Sequence, residues 1–120
     1  GAVAADFIEQ NFRLCEAIKR NLETTGYSTN GHVYRANVEK ALTILDGPYH
    51  LVLLDPPYEM TDLTEIMVRS GDSKLLRNKG MVMLEHSKRT VVEERYGTLC
   101  LEKQKRYGDT SVSIYIKGEA

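Results

Sequence analysis

This chain of 120 residues has only two cysteines, Cys15 and Cys100, and they show no metal-ligand spacing. They are therefore expected to be reduced thiols rather than a disulfide framework. No apolar run approaches the roughly 20 residues that cross a bilayer, which argues against a membrane partner. The opening GAVAADFIEQN has no basic leader and carries Asp6 and Glu9, so it is not expected to be a secretory signal. A cytoplasmic protein is expected. His32 and His50 have no partner pattern, and no metal site is expected. Charge of either sign is not in excess, the formal net charge being −1. A nucleic-acid partner must then rest on a local basic patch rather than on the overall field.

What is there is globular in composition, with 42% hydrophobic and 28% charged residues. No repeat, low-complexity tract or linker interrupts it, so residues 1–120 are expected to form one domain. Short apolar runs give way to helical patterns three times. VAADFIE reads as a strand ending near Glu9. In NFRLCEAIKRNLETTGY, Phe12, Cys15, Ile18 and Leu22 recur at helical intervals and predict a face packed on a sheet. Asn11 can cap its start and Gly26 its end. GHVYRA is a second strand, followed by a short helix VEKALTIL capped by Asn37. YHLVLL is nearly continuous in apolar residues, as expected of a central parallel strand covered on both faces. TDLTEIMVRS predicts a helix and GMVMLEHS a fourth strand. TLCLEKQKRYGDTSVSIYIK alternates around Gly108-Asp109 and predicts an antiparallel hairpin. The fold class is α/β, with a mostly parallel sheet and an antiparallel ending.

The third strand ends abruptly in Asp55-Pro56-Pro57-Tyr58. A structural reading exists: prolines cannot donate to a ladder, so they stop the strand. A functional reading uses every residue. Ligands of open α/β sheets bind outside the carboxyl ends of the strands. Two prolines would stiffen the Asp55 carboxylate and the Pro56 carbonyl as a pair of acceptors. Such a pair suits the two N–H donors of an exocyclic amine on a base, and Tyr58 offers a face for that base to stack on. Accepting hydrogen bonds from an aromatic amine localises its lone pair, so attack on an electrophilic methyl becomes feasible.

The segment resembles the catalytic motif of S-adenosylmethionine-dependent amino-methyltransferases. From FIEQN through YRANVEKAL and LVLLDPPYE to RYGDTSVSIY, the whole chain resembles the RsmD-type family of bacterial 16S rRNA (guanine-N2)-methyltransferases. The resemblance implies a Rossmann-like fold, S-adenosylmethionine as cofactor, and 16S rRNA or a small-subunit assembly intermediate as partner. It carries Asp55, Pro56, Pro57 and Tyr58 over as the catalytic turn. Glu9 falls where the family binds the ribose hydroxyls of the cofactor, although a helix-start acid could stand there for its dipole alone. Asn37, where related enzymes often have Asp, falls where the adenine amine is met, and the Val38 N–H would face a ring nitrogen. A plain helix cap at Asn37 is compatible with the same position. His86 is a candidate substrate contact. Lys88, Arg89, Lys103, Lys105 and Arg106 are candidate RNA contacts that would position the substrate through phosphates.

The chain departs from the family's pattern at its start. The first strand and the glycine-rich loop that follows it have no counterpart here, and the family's basic N-terminal segment is also lacking. The chain is therefore expected to be an N-terminally truncated methyltransferase domain, impaired in cofactor binding, with an exposed sheet edge that can pair between copies. Two other readings remain at this stage. The same turn serves adenine N6 methylation of DNA or RNA, and an inactive RNA-binding or assembly module would also retain it.

Overall fold

The computed structural model describes residues 4–9, 11–45, 47–55 and 63–118. The chain divides into two compact units, Gly1–Ile44 and Leu45–Ala120.

In the first unit, β1 (Ala5–Glu9) and β2 (Gly31–Arg35) run parallel, paired from Ala5↔Gly31 to Glu9↔Arg35. The crossover between them is α1 (Phe12–Thr25), and α2 (Val38–Ile44) follows β2. Both ends of α1 are set by local chemistry. The Asn11 carboxamide oxygen accepts from Arg13 N at 2.9 Å and Leu14 N at 3.2 Å. Gly26 ends the helix in the left-handed region at φ 81°, which a residue without Cβ adopts at no steric cost. Leu22 packs where a Cβ on Gly31 would stand, its methyls 2.8 Å from that position, so α1 and β2 sit close. The expected helix face is only partly realised. Cys15 is buried and Ile18 and Leu22 are half-buried, but Phe12 is 57% exposed. Its ring instead lies under the Arg35 guanidinium, 5.5 Å from the centroid.

The second unit contains β3 (Tyr49–Leu54), α3 (Leu63–Ser70), β4 (Leu76–Ser87), β5 (Arg95–Tyr96), β6 (Leu99–Tyr107) and β7 (Thr110–Lys117). Its five strands are ordered β3-β4-β7-β6-β5, with β3 and β4 parallel and the remaining neighbours antiparallel. Antiparallel pairs thus take a larger share of this sheet than a mostly parallel fold implies. One face is a core of Met67, Leu76, Val82, Leu84, Tyr96, Leu99 and Tyr115. The helix α3 supplies Met67 to it, and each fully buried side chain of this size contributes about 1.5–3 kcal/mol. Tyr96 and Tyr115 meet edge to face, with centroids 5.5 Å apart.

β3 corrects the expectation of a central, doubly covered strand. It is the edge of its sheet, and Leu51 and Leu53 on its other face are 45% and 68% exposed. Among the described residues β1 pairs with β2 alone, in a two-stranded ladder. No helix among the described residues is long and apolar enough to cross a membrane.

Candidate active site

Within the first unit, Glu9 closes β1 and is held through several atoms. Its carbonyl accepts from Ala36 N at 3.1 Å and from the Cys15 thiol at 3.3 Å. Its carboxylate accepts from Asn11 N at 3.3 Å. Asn37 lies beyond the end of the adjacent strand. Because β1 and β2 are parallel, Glu9 and Asn37 share one end of the pair, the end where α/β sheets take ligands. The Asn37 side-chain oxygen caps α2 by accepting from Lys40 N at 2.7 Å, and its main-chain oxygen accepts from Ala41 N at 3.0 Å. Capping orients the carboxamide, and an sp² oxygen retains a second lone-pair direction. Val38 is the first residue of α2, where a helix leaves N–H groups without intrahelical acceptors.

In the second unit, Asp55 is the first residue after β3 and is exposed at the strand's carboxyl end. Pro56, Pro57 and Tyr58 lie outside the described residues. Glu85 is exposed near the end of β4.

His86, a candidate substrate contact, is 8% exposed, and both ring nitrogens are engaged within the sheet. Nδ1 lies 2.8 Å from the Ser87 carbonyl and so carries the proton, and Nε2 accepts from the Ser113 hydroxyl at 2.7 Å. Ser113 in turn accepts from Gln104 Nε2 at 3.0 Å. The ring has no nitrogen left for a guest.

The candidate RNA contacts fall into distinct settings. Lys88 Nζ is 3.0 Å from Asp109 Oδ1, so its charge is already partnered. Arg89 is exposed in the turn after β4, its N–H donating to Ser87 Oγ at 3.2 Å. Lys103, Lys105 and Arg106 are exposed on β6. A register shift between Leu101 and Lys103 turns the lysines away from the core, because Leu101 opposes buried Tyr115 whereas Lys103 opposes Ile114. Arg106 lies on the opposite face from Lys103 and Lys105.

Two tyrosines secure the loop leading out of β4. Tyr115 Oη donates to the Glu93 carbonyl at 2.6 Å, and Tyr96 Oη accepts from Glu93 N at 2.9 Å. Burial pushes the pKa of Tyr115 well above the usual phenol range, with lesser contributions from Tyr96 and Glu93. Tyr107 is a residue the sequence reading passed over: it is 61% exposed at the end of β6, beside the basic positions. Its signal was its place in the lysine alternation.

The family described as "Conserved hypothetical protein 95" matches residues 1–116. YlbH of Bacillus subtilis, named as an rRNA methyltransferase, is 28% identical over 114 residues. The match takes in 92% of this chain and 62% of YlbH, so the chain spans less than two thirds of that relative's length. A conserved protein of Streptococcus pyogenes has the same fold at TM-score 0.91 and 28% identity, over 98% of this chain and 73% of that one. The Salinibacter ruber RNA methyltransferase, solved with S-adenosyl-L-homocysteine, shares the fold at TM-score 0.66 and 13% identity, covering 98% of this chain and 67% of its own.

Proposed function

Because this chain belongs to the family described as Conserved hypothetical protein 95, the RsmD family, we propose that it is part of an S-adenosylmethionine-dependent methyltransferase acting on the N2 amine of a guanine in 16S rRNA. The observation that carries the reading is Asp55, exposed at the carboxyl end of a parallel strand and followed in sequence by Pro-Pro-Tyr. The substrate is naked 16S rRNA or a small-subunit assembly intermediate in the cytoplasm, and residues 1–120 belong to a single methyltransferase domain. The open edge of β3 is the place where two copies would pair.

S-adenosylmethionine supplies an electrophilic methyl group. On the protein side, the Glu9 carboxylate suits a cis-diol, being an anionic acceptor held by backbone contacts at a strand end. Asn37 oxygen and the Val38 N–H offer an acceptor and a donor to an adenine edge. That donor set fits the cofactor's adenosine. Asp55 and the Pro56 carbonyl accept the two protons of the guanine amine and localise its lone pair, while Tyr58 stacks on the base. Bound there, the cofactor would supply its methyl group to the amine nitrogen and depart as the neutral thioether, and the amine proton would pass to water. No base need act beforehand.

The test uses the full-length protein and its RNA, with nucleosides read by mass spectrometry. N2-methylguanosine is the expected product, and Asp55→Ala or Tyr58→Ala should each lower transfer by at least about 100-fold. N6-methyladenosine would replace the guanine reading by the adenine one. Unchanged transfer in both variants would leave an RNA-binding module as the surviving account.

A further inference from the structure

Tyr107 is poorly explained by packing. It is 61% exposed, and among the described residues its hydroxyl makes no hydrogen bond. Its place in the sheet is well defined. Tyr107 pairs with Thr110 across the hairpin, and Thr110 pairs with Ser87 at the end of β4. The strand β6 runs parallel to β4, and β4 parallel to β3. The carboxyl ends of all three therefore share one rim, and that rim carries Asp55. Three strand spacings separate β3 from β6, on the order of 14 Å along the rim.

The tip is also held and its charge arranged. Gly108 has φ 60° in the first position of the two-residue loop, a conformation suited to a tight hairpin turn. Lys88 N donates to Asp109 O at 3.0 Å, and the Lys88 ammonium meets the Asp109 carboxylate at 3.0 Å. The acid at the tip is thereby neutralised. Lys103, Lys105 and Tyr107 follow one another on a single face, since their partners are Ile114, Val112 and Thr110. Glu85 is an acid on that face, one strand beyond Val112. Two ammonium groups leading to an uncovered ring, on an anchored turn, match a single strand of nucleic acid: phosphates to the lysines, a base to the ring.

We propose that Tyr107 is a second stacking platform, which takes an unpaired base flanking the target nucleotide of the RNA. This rests on the methyltransferase reading and adds to it that the substrate is single-stranded where it crosses the hairpin. A base about 14 Å from Asp55 is not the one being methylated, so Tyr107 acts on binding and register rather than on chemistry.

The test uses full-length protein and a short unpaired RNA oligonucleotide carrying the fluorescent base 2-aminopurine beside the target guanine. Stacking on Tyr107 quenches the probe. Tyr107→Leu should abolish the quench and weaken binding about 5- to 100-fold, whereas Tyr107→Phe should stay within about twofold of the parent. At saturating RNA, kcat should change far less than KM in the leucine variant. Equal quenching and affinity in Tyr107→Leu, with transfer still abolished by Tyr58→Ala, would overturn the platform and keep the methyltransferase. Weakened binding in Tyr107→Leu with normal transfer in Tyr58→Ala would keep the platform and remove the catalytic turn.

Discussion

Lys88 and Asp109 are joined twice, once through the ammonium and carboxylate at 3.0 Å and once through the Lys88 N–H and the Asp109 carbonyl at 3.0 Å. An exposed ion pair of this kind adds on the order of 0–1 kcal/mol. Its larger consequence is for counting charges, because a lysine already paired with a carboxylate releases fewer counterions on meeting a phosphate.

RNA binding by the full-length protein should therefore depend on salt through Lys105 more than through Lys88. For a single strand, each phosphate contact contributes about 0.7 to the slope of log K against log salt. Lys105→Ala should lower the slope by about that amount, and Lys88→Ala by clearly less. Binding titrations across a range of salt concentrations measure both. Equal losses would mean that the Lys88–Asp109 pair opens on binding.

Tyr115 predicts a pH effect on stability whose sign follows from its raised pKa. In the unfolded chain its phenol ionises near pH 10, as free tyrosine does. The folded protein keeps the proton to higher pH, so the native state binds more protons in that window. Stability from this group is full below about pH 10 and falls as pH rises above it. Tyr115→Phe removes that dependence and also the hydrogen bond to Glu93 O. Urea melts should show the variant about 1 kcal/mol less stable near neutrality, with the difference shrinking above about pH 10. A gap that stayed constant across that range would refute the linkage.

Much of this fold could be read locally. Asn11, Gly26 and Asn37 sit beside the helix ends they define, and the Gly108-Asp109 turn declares its hairpin. Position within the sheet was less legible. YHLVLL is apolar on both faces whether or not a neighbour covers it, so the edge position of β3 depends on partners that the segment cannot reveal. The strand β5 has only two residues, too short for any periodicity. On β6, plain alternation would place Lys103 on the same face as Leu101, and only the register shift sends it to the other. The role of His86 was hidden for the same reason, since its partner Ser113 lies 27 residues away on β7.

Glu9 and Asn37 separate by what their replacement removes. Glu9→Gln keeps the side chain's size and its acceptor oxygen but loses the charge that suits a diol. Cofactor affinity of the full-length protein should fall by about tenfold, equivalent to 1.4 kcal/mol, with little change in melting temperature. Asn37→Ala removes the cap of α2 and should lower stability by about 1 kcal/mol. Asn37→Asp restores an acceptor for Lys40 N and for an adenine amine alike, so both stability and affinity should be retained. Calorimetric titration read beside thermal melts checks the set. A large loss of affinity in Asn37→Asp would show that the carboxamide NH2, rather than the oxygen, meets the cofactor.

His86 gives the sharpest contrast between a structural and a substrate-binding role. Its ring bridges Ser113 and the Ser87 carbonyl inside the sheet, so His86→Ala leaves a buried hydroxyl without its acceptor and opens a gap in the relay from Gln104. The cost should be about 1–3 kcal/mol, seen as a lower urea midpoint. Well below that midpoint, kcat/KM for RNA should remain within about twofold of the parent. A variant of unchanged stability with transfer lowered about 100-fold would mean that the ring leaves Ser113 to meet the substrate. The tautomer offers a further check: in the neutral ring Nδ1, beside the Ser87 carbonyl, should be the protonated nitrogen, which nitrogen chemical shifts report directly.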